Sequence, residues 1–318
     1  MAKLIKKTGF FIVKLCISGL LLYLLLRRVR GEGILNALAN FSPGAMLGII
    51  AMGGLVVITA TLRWKILTHK LGLSSSFTNL LQLYLVGFFF NNFLPAGLGL
   101  DVVRGTYLTT EEGNGISAFA SVFAERVIGM YGIMLTGVIT IIPFLHIPLI
   151  RTVFLWTTLA LLIATLSIIL LTEHKIRDSI TPKLDKMGRI GEILSNFYAT
   201  MTLYRSHKND ILKALVLSIA MQMELVFIAF IAGLGLGIDV PFPYYLAFLP
   251  VINTVSMLPI SINGLGVREA FFTMLFGYIG VSNEKALILS LAFFAVSVLI
   301  SLPGGIIFLL RRKSSAVH

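Results

Sequence analysis

Apolar residues come in long unbroken runs along this chain, and polar residues fall in short clusters between them. A helix needs roughly 20 apolar residues to cross the hydrocarbon core of a bilayer. Six runs reach about that length: 8–26, 44–62, 117–142, 151–171, 213–236 and 287–310. Two more apolar regions, 77–112 and 244–281, carry proline, glycines and charges near their middle. Proline breaks a helix and glycine permits a sharp reversal, so each region is expected to be two helical pieces. The one long polar segment, 172–212, mixes both charge signs. It is expected to form amphipathic helices along the surface, interrupted near Pro182.

Lysine and arginine then orient the runs, because they collect on the cytoplasmic side. The segment 172–212, the link 63–70 ("RWKILTHK") and the C-terminal tail are basic, whereas the links around 146–150 and 239–243 are nearly free of Lys and Arg. The expected topology places both termini in the cytoplasm. It conflicts with Arg27, Arg28 and Arg30, which would fall outside and snorkel to head groups. The basic start followed by the apolar run 8–26 reads as a retained signal-anchor helix. Under this topology, region 77–112 starts and ends on the cytoplasmic side and region 244–281 on the outer side. Each is therefore expected to be a re-entrant hairpin.

Composition agrees with the pattern. Hydrophobic residues make up 57 % and charged residues 13 % of 318 residues, and the mean hydropathy is +0.94. That is about half the charge of an average soluble domain. The formal charge of +12 lies mainly at the ends of apolar runs, which favours anionic lipid surfaces over nucleic acid. The lone cysteine, Cys16, excludes an intrachain disulfide.

The two breaks resemble each other. "NNFLPAGLGLDVVRG" begins at Asn91, and "NTVSMLPISINGLGVREA" begins at Asn253. Each has Asn, then Leu-Pro (Pro95; Pro259), then Gly-Leu-Gly (Gly97 and Gly99; Gly264 and Gly266), then opposite charges (Asp101 and Arg104; Arg268 and Glu269). Interrupted apolar segments at matching places in two halves mark an inverted repeat and point to a transporter's binding site. The halves are about 8–142 and 151–312. Backbone freed by such breaks is tolerated at membrane depth only when buried in protein or lining a wet cavity. A helix start after each Gly-Leu-Gly suits an anionic group. Asp101 and Arg104, three apart, can pair on one helix face, whereas Arg268 and Glu269 point about 100° apart and are expected to find different partners or to face different sides of one cavity. Asn92, Glu125, Arg126 and the intramembrane Glu224, with Gln222 nearby, complete the candidate substrate-binding set.

Histidines at 69, 146, 174, 207 and 318 have no ligand-like spacing, so no metal is expected. "GLGLDVVRG" follows no strand and is not a dinucleotide fingerprint. No Walker A sequence or serine nucleophile elbow occurs. No cofactor is implied.

"FFFNNFLPAGLGLDVVRGTYL", "ERVIGM" and "LPISINGLGVREAFF" resemble the signature regions of the lysylphosphatidylglycerol synthase transmembrane family, also called the flippase-like domain family. The resemblance runs from about residue 8 to 312. It implies a polytopic inner-membrane protein related to the flippase half of the multiple peptide resistance factor, which joins such a domain to a soluble aminoacyl transferase. No such transferase stretch occurs in these 318 residues, so synthesis of a lysyl lipid by this chain is not expected.

The sequence thus predicts an all-α polytopic transmembrane bundle with two oppositely oriented re-entrant hairpins. The expected function is translocation of a phospholipid or polyprenyl lipid whose anionic or zwitterionic head group crosses a polar groove between the hairpins. The alternatives are a transporter of a small polar solute or ion, and a lipid-modifying enzyme or its non-catalytic assembly partner.

Overall fold

The computed structural model describes residues 41–92, 98–172, 188–257 and 264–315. The predicted span 8–26, Pro182 and the tips of both breaks, including Pro95, Gly97 and Pro259, lie outside the described residues. Most of those described are helical, with no strand among them. We number the helices α1 (Pro43–Lys70), α2 (Phe77–Asn91), α3 (Leu98–Glu112), α4 (Gly115–Thr140), α5 (Pro148–Thr172), α6 (Arg189–Thr202), α7 (Lys208–Gly235), α8 (Phe242–Ser256), α9 (Val267–Tyr278) and α10 (Asn283–Ser315).

Helix starts follow local chemistry. The hydroxyls of Ser42, Ser76 and Ser282 and the amide oxygen of Asn114 each accept a backbone N–H from the first turn of α1, α2, α10 and α4. Such caps satisfy donors that the helix itself cannot. α1, α4, α7 and α10 are long and apolar enough to cross a membrane. They correspond to four of the six predicted spans. The fifth, 151–171, falls in α5, whose described apolar stretch is the shorter Ile150–Leu166.

Both broken regions are helix–break–helix. The first is α2 and α3, of 15 residues each; the second is α8 and α9, of 15 and 12 residues. An arm of 15 residues is about 22 Å long at 1.5 Å per residue, well short of a hydrocarbon core of about 30 Å. α3 turns back along α2. A Cβ on Gly99 would stand 2.7 Å from the Phe90 carbonyl oxygen, and one on Gly87 2.8 Å from that of Leu100. At the other end the Asn79 amide donates to Glu111 at 2.5 Å. α9 likewise returns along α8, with the Phe276 ring against Tyr245 and Phe248.

Two readings need correction. The stretch 63–70, taken from its basic residues as a cytoplasmic link, is the last two turns of α1. Trp64 and Leu67 are buried on it, as is Leu71 just beyond its end, and Leu67 and Leu71 pack with Tyr204, Ala214 and α4. The run predicted to begin at 213 is already helical from Lys208. In the polar segment α6 packs on α4. Tyr204, in the short 3-10 turn after it, is buried and donates to the Leu67 carbonyl at 2.9 Å. Burial pushes this phenol up, so it remains a neutral donor.

The described residues form two compact units, and neither coincides with a sequence half. One holds residues up to 57, 85–100 and from 223 onward; the other holds 58–84 and 101–222. In the first, the glycines of "GLGLG" pack within the chain: Gly233 against Tyr245, and Gly235 against Phe41 and Ala45. Gly237 has positive φ in the turn that follows. The phenylalanine run 88–90 is packing too, since Phe90 meets Phe89 and Phe308 edge to face.

Candidate functional site

The first hairpin carries its charges into the unit of residues 58–84 and 101–222. α3 begins at Leu98, so Asp101 and Arg104 lie in its first two turns, three apart and facing the same way. They pair at 2.8 Å, as the spacing predicts. Gly105 lets α3 approach α4 closely, since a Cβ there would stand 2.7 Å from the Phe119 ring. That approach brings Arg104 within 2.7 Å of Glu125 Oε2. The other Glu125 oxygen accepts from Arg63 of α1, and Arg126 donates to Asp101 Oδ2. The result is a chain of five charges: Arg63, Glu125, Arg104, Asp101 and Arg126.

Burial is graded along this chain. The side chains of Arg63, Glu125 and Arg104 are 5 %, 4 % and 1 % exposed, Asp101 is 17 % and Arg126 is 36 %. Within the cluster three guanidiniums face two carboxylates. Arg104 is also held by π faces: its Cζ lies 4.9 Å from the Trp64 ring centre and 5.1 Å from that of Tyr84. Among the described residues its Nε and Nη1 have no hydrogen-bond partner, so the ring faces stand where acceptors would. Trp64 is fixed by its indole N–H, which donates to Ser121 at 3.1 Å. The Arg63 Nη1 donates to Ser218 Oγ of α7 at 2.9 Å.

Arg63, Trp64, Tyr84 and Ser218 were not among the predicted residues. Arg63 ends an apolar run, where a basic residue reads as a topology signal, and its partners are 62 and 155 positions away. One signal was present: Trp64, Leu67 and Leu71 repeat at helical spacing through the supposed link.

The second hairpin builds a different cluster, in the unit with residues from 223 onward. Gly266, at φ +84°, precedes α9. Glu269 folds back to accept the Gly266 N–H at 2.5 Å. Its other oxygen accepts Arg268 Nη2 at 2.6 Å, Arg268 Nε at 3.1 Å and Ser290 Oγ at 3.3 Å. The expectation that Arg268 and Glu269 need different partners is therefore overturned. The backward curl of a capping carboxylate, plus the length of arginine, closes the 100° between them. Arg268 also stands 4.8 Å over the Phe294 ring. Gly264, likewise at positive φ, lies against Ser256 at the end of α8.

The remaining predicted residues are spread out. Asn92 ties the tip of the first hairpin to α10 through Ser301 Oγ at 2.8 Å and bonds its own helix at the Phe89 carbonyl. Asn91 and Gly99 touch across the break. Asn253 is half-buried in α8, and its carbonyl accepts the Met257 N–H at 3.1 Å. Glu224 is buried past the middle of α7, in the unit of the second hairpin.

Several long apolar helices and charges buried among them define an integral membrane protein of all-helical class. Residues 11–304 match the family described as the lysylphosphatidylglycerol synthase TM region, and the chain belongs to that family. It is 24 % identical over 317 residues to a UPF0104 membrane protein of Methanocaldococcus jannaschii, covering 95 % of this chain and 94 % of that one. Two UPF0104 membrane proteins of Methanothermobacter thermautotrophicus are each 23 % identical, over 274 and 281 residues. These cover 78 % and 79 % of this chain and 79 % and 78 % of the relatives.

Proposed function

We propose that this chain is a lipid translocator of a bacterial or archaeal cytoplasmic membrane and not an enzyme, with both termini cytoplasmic and both hairpins re-entrant from opposite faces. The reading rests above all on the five-charge cluster of the first hairpin. A membrane-embedded network rich in guanidinium suits a phosphate-bearing guest, and its graded burial leaves Arg126 and Asp101 as the contact end. Phe119 and Phe123 are exposed on the same face of α4 as Arg126, at i, i+4 and i+7. A phosphate-bearing head group would meet Arg126 while its chains lie on the phenylalanines. Arg104, Glu125 and Arg63 act as positioning residues behind them. The short arms of both hairpins support re-entrance, because neither arm reaches across a bilayer.

The test is head-group crossing in sealed liposomes that hold the purified protein and a head-group-labelled anionic phospholipid. Wild type is expected to expose label from the inner leaflet, and Arg126→Ala to lose most of that activity while remaining folded. Crossing by Arg126→Ala at the wild-type rate would remove Arg126 as the contact. No crossing by folded wild type with any anionic phospholipid would overturn the translocator reading.

A further inference from the structure

A polar stripe continues along α4 beyond the charge cluster, and the proposed function makes no use of it. Glu125, Gly129, Gly132 and Thr136 follow at helical spacing on one face of α4. Ala214, Ser218 and Gln222 do the same on α7. The two faces meet. Gly132 is so close to α7 that a Cβ would stand 2.4 Å from the Ser218 Cβ. Lower down, Ala120, Ala124 and Ile128 share a buried cluster with Ala214, Ile211 and Leu215. The contacts therefore advance in the same direction on both helices, and one more turn brings Thr136 and Gln222 to the same level.

Gln222 is 1 % exposed, and neither its amide oxygen nor its amide nitrogen has a hydrogen-bond partner among the described residues. The Thr136 hydroxyl, also buried, has none, nor does Arg63 Nε at the lower end of the seam. A buried polar group without a partner is destabilising, and an amide has two such ends. Gly129 opens the seam beside the guanidinium, where a Cβ would stand 3.3 Å from Arg63 Nη1. The occupant must therefore both donate and accept. A cation is disfavoured because Arg63 is adjacent and both Glu125 oxygens are already taken. An anion finds no uncompensated charge there.

We infer that the α4–α7 seam binds a short file of water molecules inside the bundle, from the Arg63 guanidinium to Gln222 and Thr136. The file solvates the inner end of the charge cluster and extends the hydrated path past it. It does not depend on which substrate crosses.

The chain has two glutamines, Gln82 and Gln222, so side-chain 15N-glutamine labelling gives two amide signals. A Gln82→Glu variant assigns them. In solid-state NMR of wild type in liposomes, magnetisation started on water should reach the Gln222 amide without a lag. Arrival only after relay through lipid chains would overturn the inference. Unfolding gives a second readout of opposite sign for the two cases. Gln222→Leu should lower the unfolding midpoint by stranding the water's other partners. A raised midpoint would mean a dry seam relieved of an unsatisfied amide, and would also overturn it.

Discussion

The two Gly-Leu-Gly segments lead into charge clusters of contrasting construction. In the first hairpin the charges are shared: α1, α3 and α4 each contribute, with Ser218 of α7 behind them, and partners are as far as 155 positions apart. In the second they are local. Glu269 satisfies its own helix start, and Arg268 is its sequence neighbour. The glycines differ for the same reason. Gly264 and Gly266 occupy positive φ, whereas Gly99 is helical and is needed because α2 backbone lies against it. A sequence match between two breaks therefore specifies where a chain turns, not what the turn is for. The first cluster is a network drawn from several helices with a partly exposed end; the second is a closed pair that fixes a helix.

The strongest way to break the comparison is to remove the anion at each centre. Glu125→Leu leaves Arg63 and Arg104 facing each other in the bundle, and breaking a buried pair in this way costs about 3–5 kcal/mol. Glu269→Leu strands one arginine and one backbone N–H, so thermal unfolding in detergent should show a smaller loss. Equal losses would mean the clusters do not differ in kind. Next come the glycines. Gly266→Ala forces an L residue to φ +84°, at a cost of about 1–2 kcal/mol. Gly99→Ala overpacks against the Phe90 carbonyl, at about 1–3 kcal/mol. Incorporating D-Ala by semisynthesis separates them: it should restore position 266 and not position 99.

The smallest effect is expected at the base of the first hairpin. There the Ser75 hydroxyl, then the Ser74 N–H and hydroxyl, hold the Glu112 carboxyl below its ordinary 4.5. A depressed carboxyl contributes stability above its unfolded pKa and loses it as pH falls through the folded one. The protection of the Ser74 and Ser75 amides, taken relative to the intrinsic exchange rate at each pH, should therefore fall on acidification through the folded pKa in wild type. That protection should be lower and pH-flat in Glu112→Gln.

Long-range order was legible in the apolar runs, because membrane thickness sets a length that composition alone can meet. The breaks were legible because Pro and Gly act locally, as was the Asp101–Arg104 pair, which needs only one turn of helix. What stayed hidden was made by contact at a distance. Nothing within 60 residues of Arg63 names its partners, and the Arg268–Glu269 pair depends on a curled rotamer that spacing does not encode.

Arg63 also sets a problem of timing. It leaves the ribosome 62 residues before Glu125 and 155 before Ser218. The Leu67 carbonyl waits 137 residues for the Tyr204 hydroxyl. Until then α1 carries a guanidinium whose burial costs at least about 2.5–3.5 kcal/mol. The Arg63 end of α1 is therefore expected to stay at the water interface during synthesis. It is expected to reach its final depth only after α4 has entered, which would make the depth of an early helix depend on a later one.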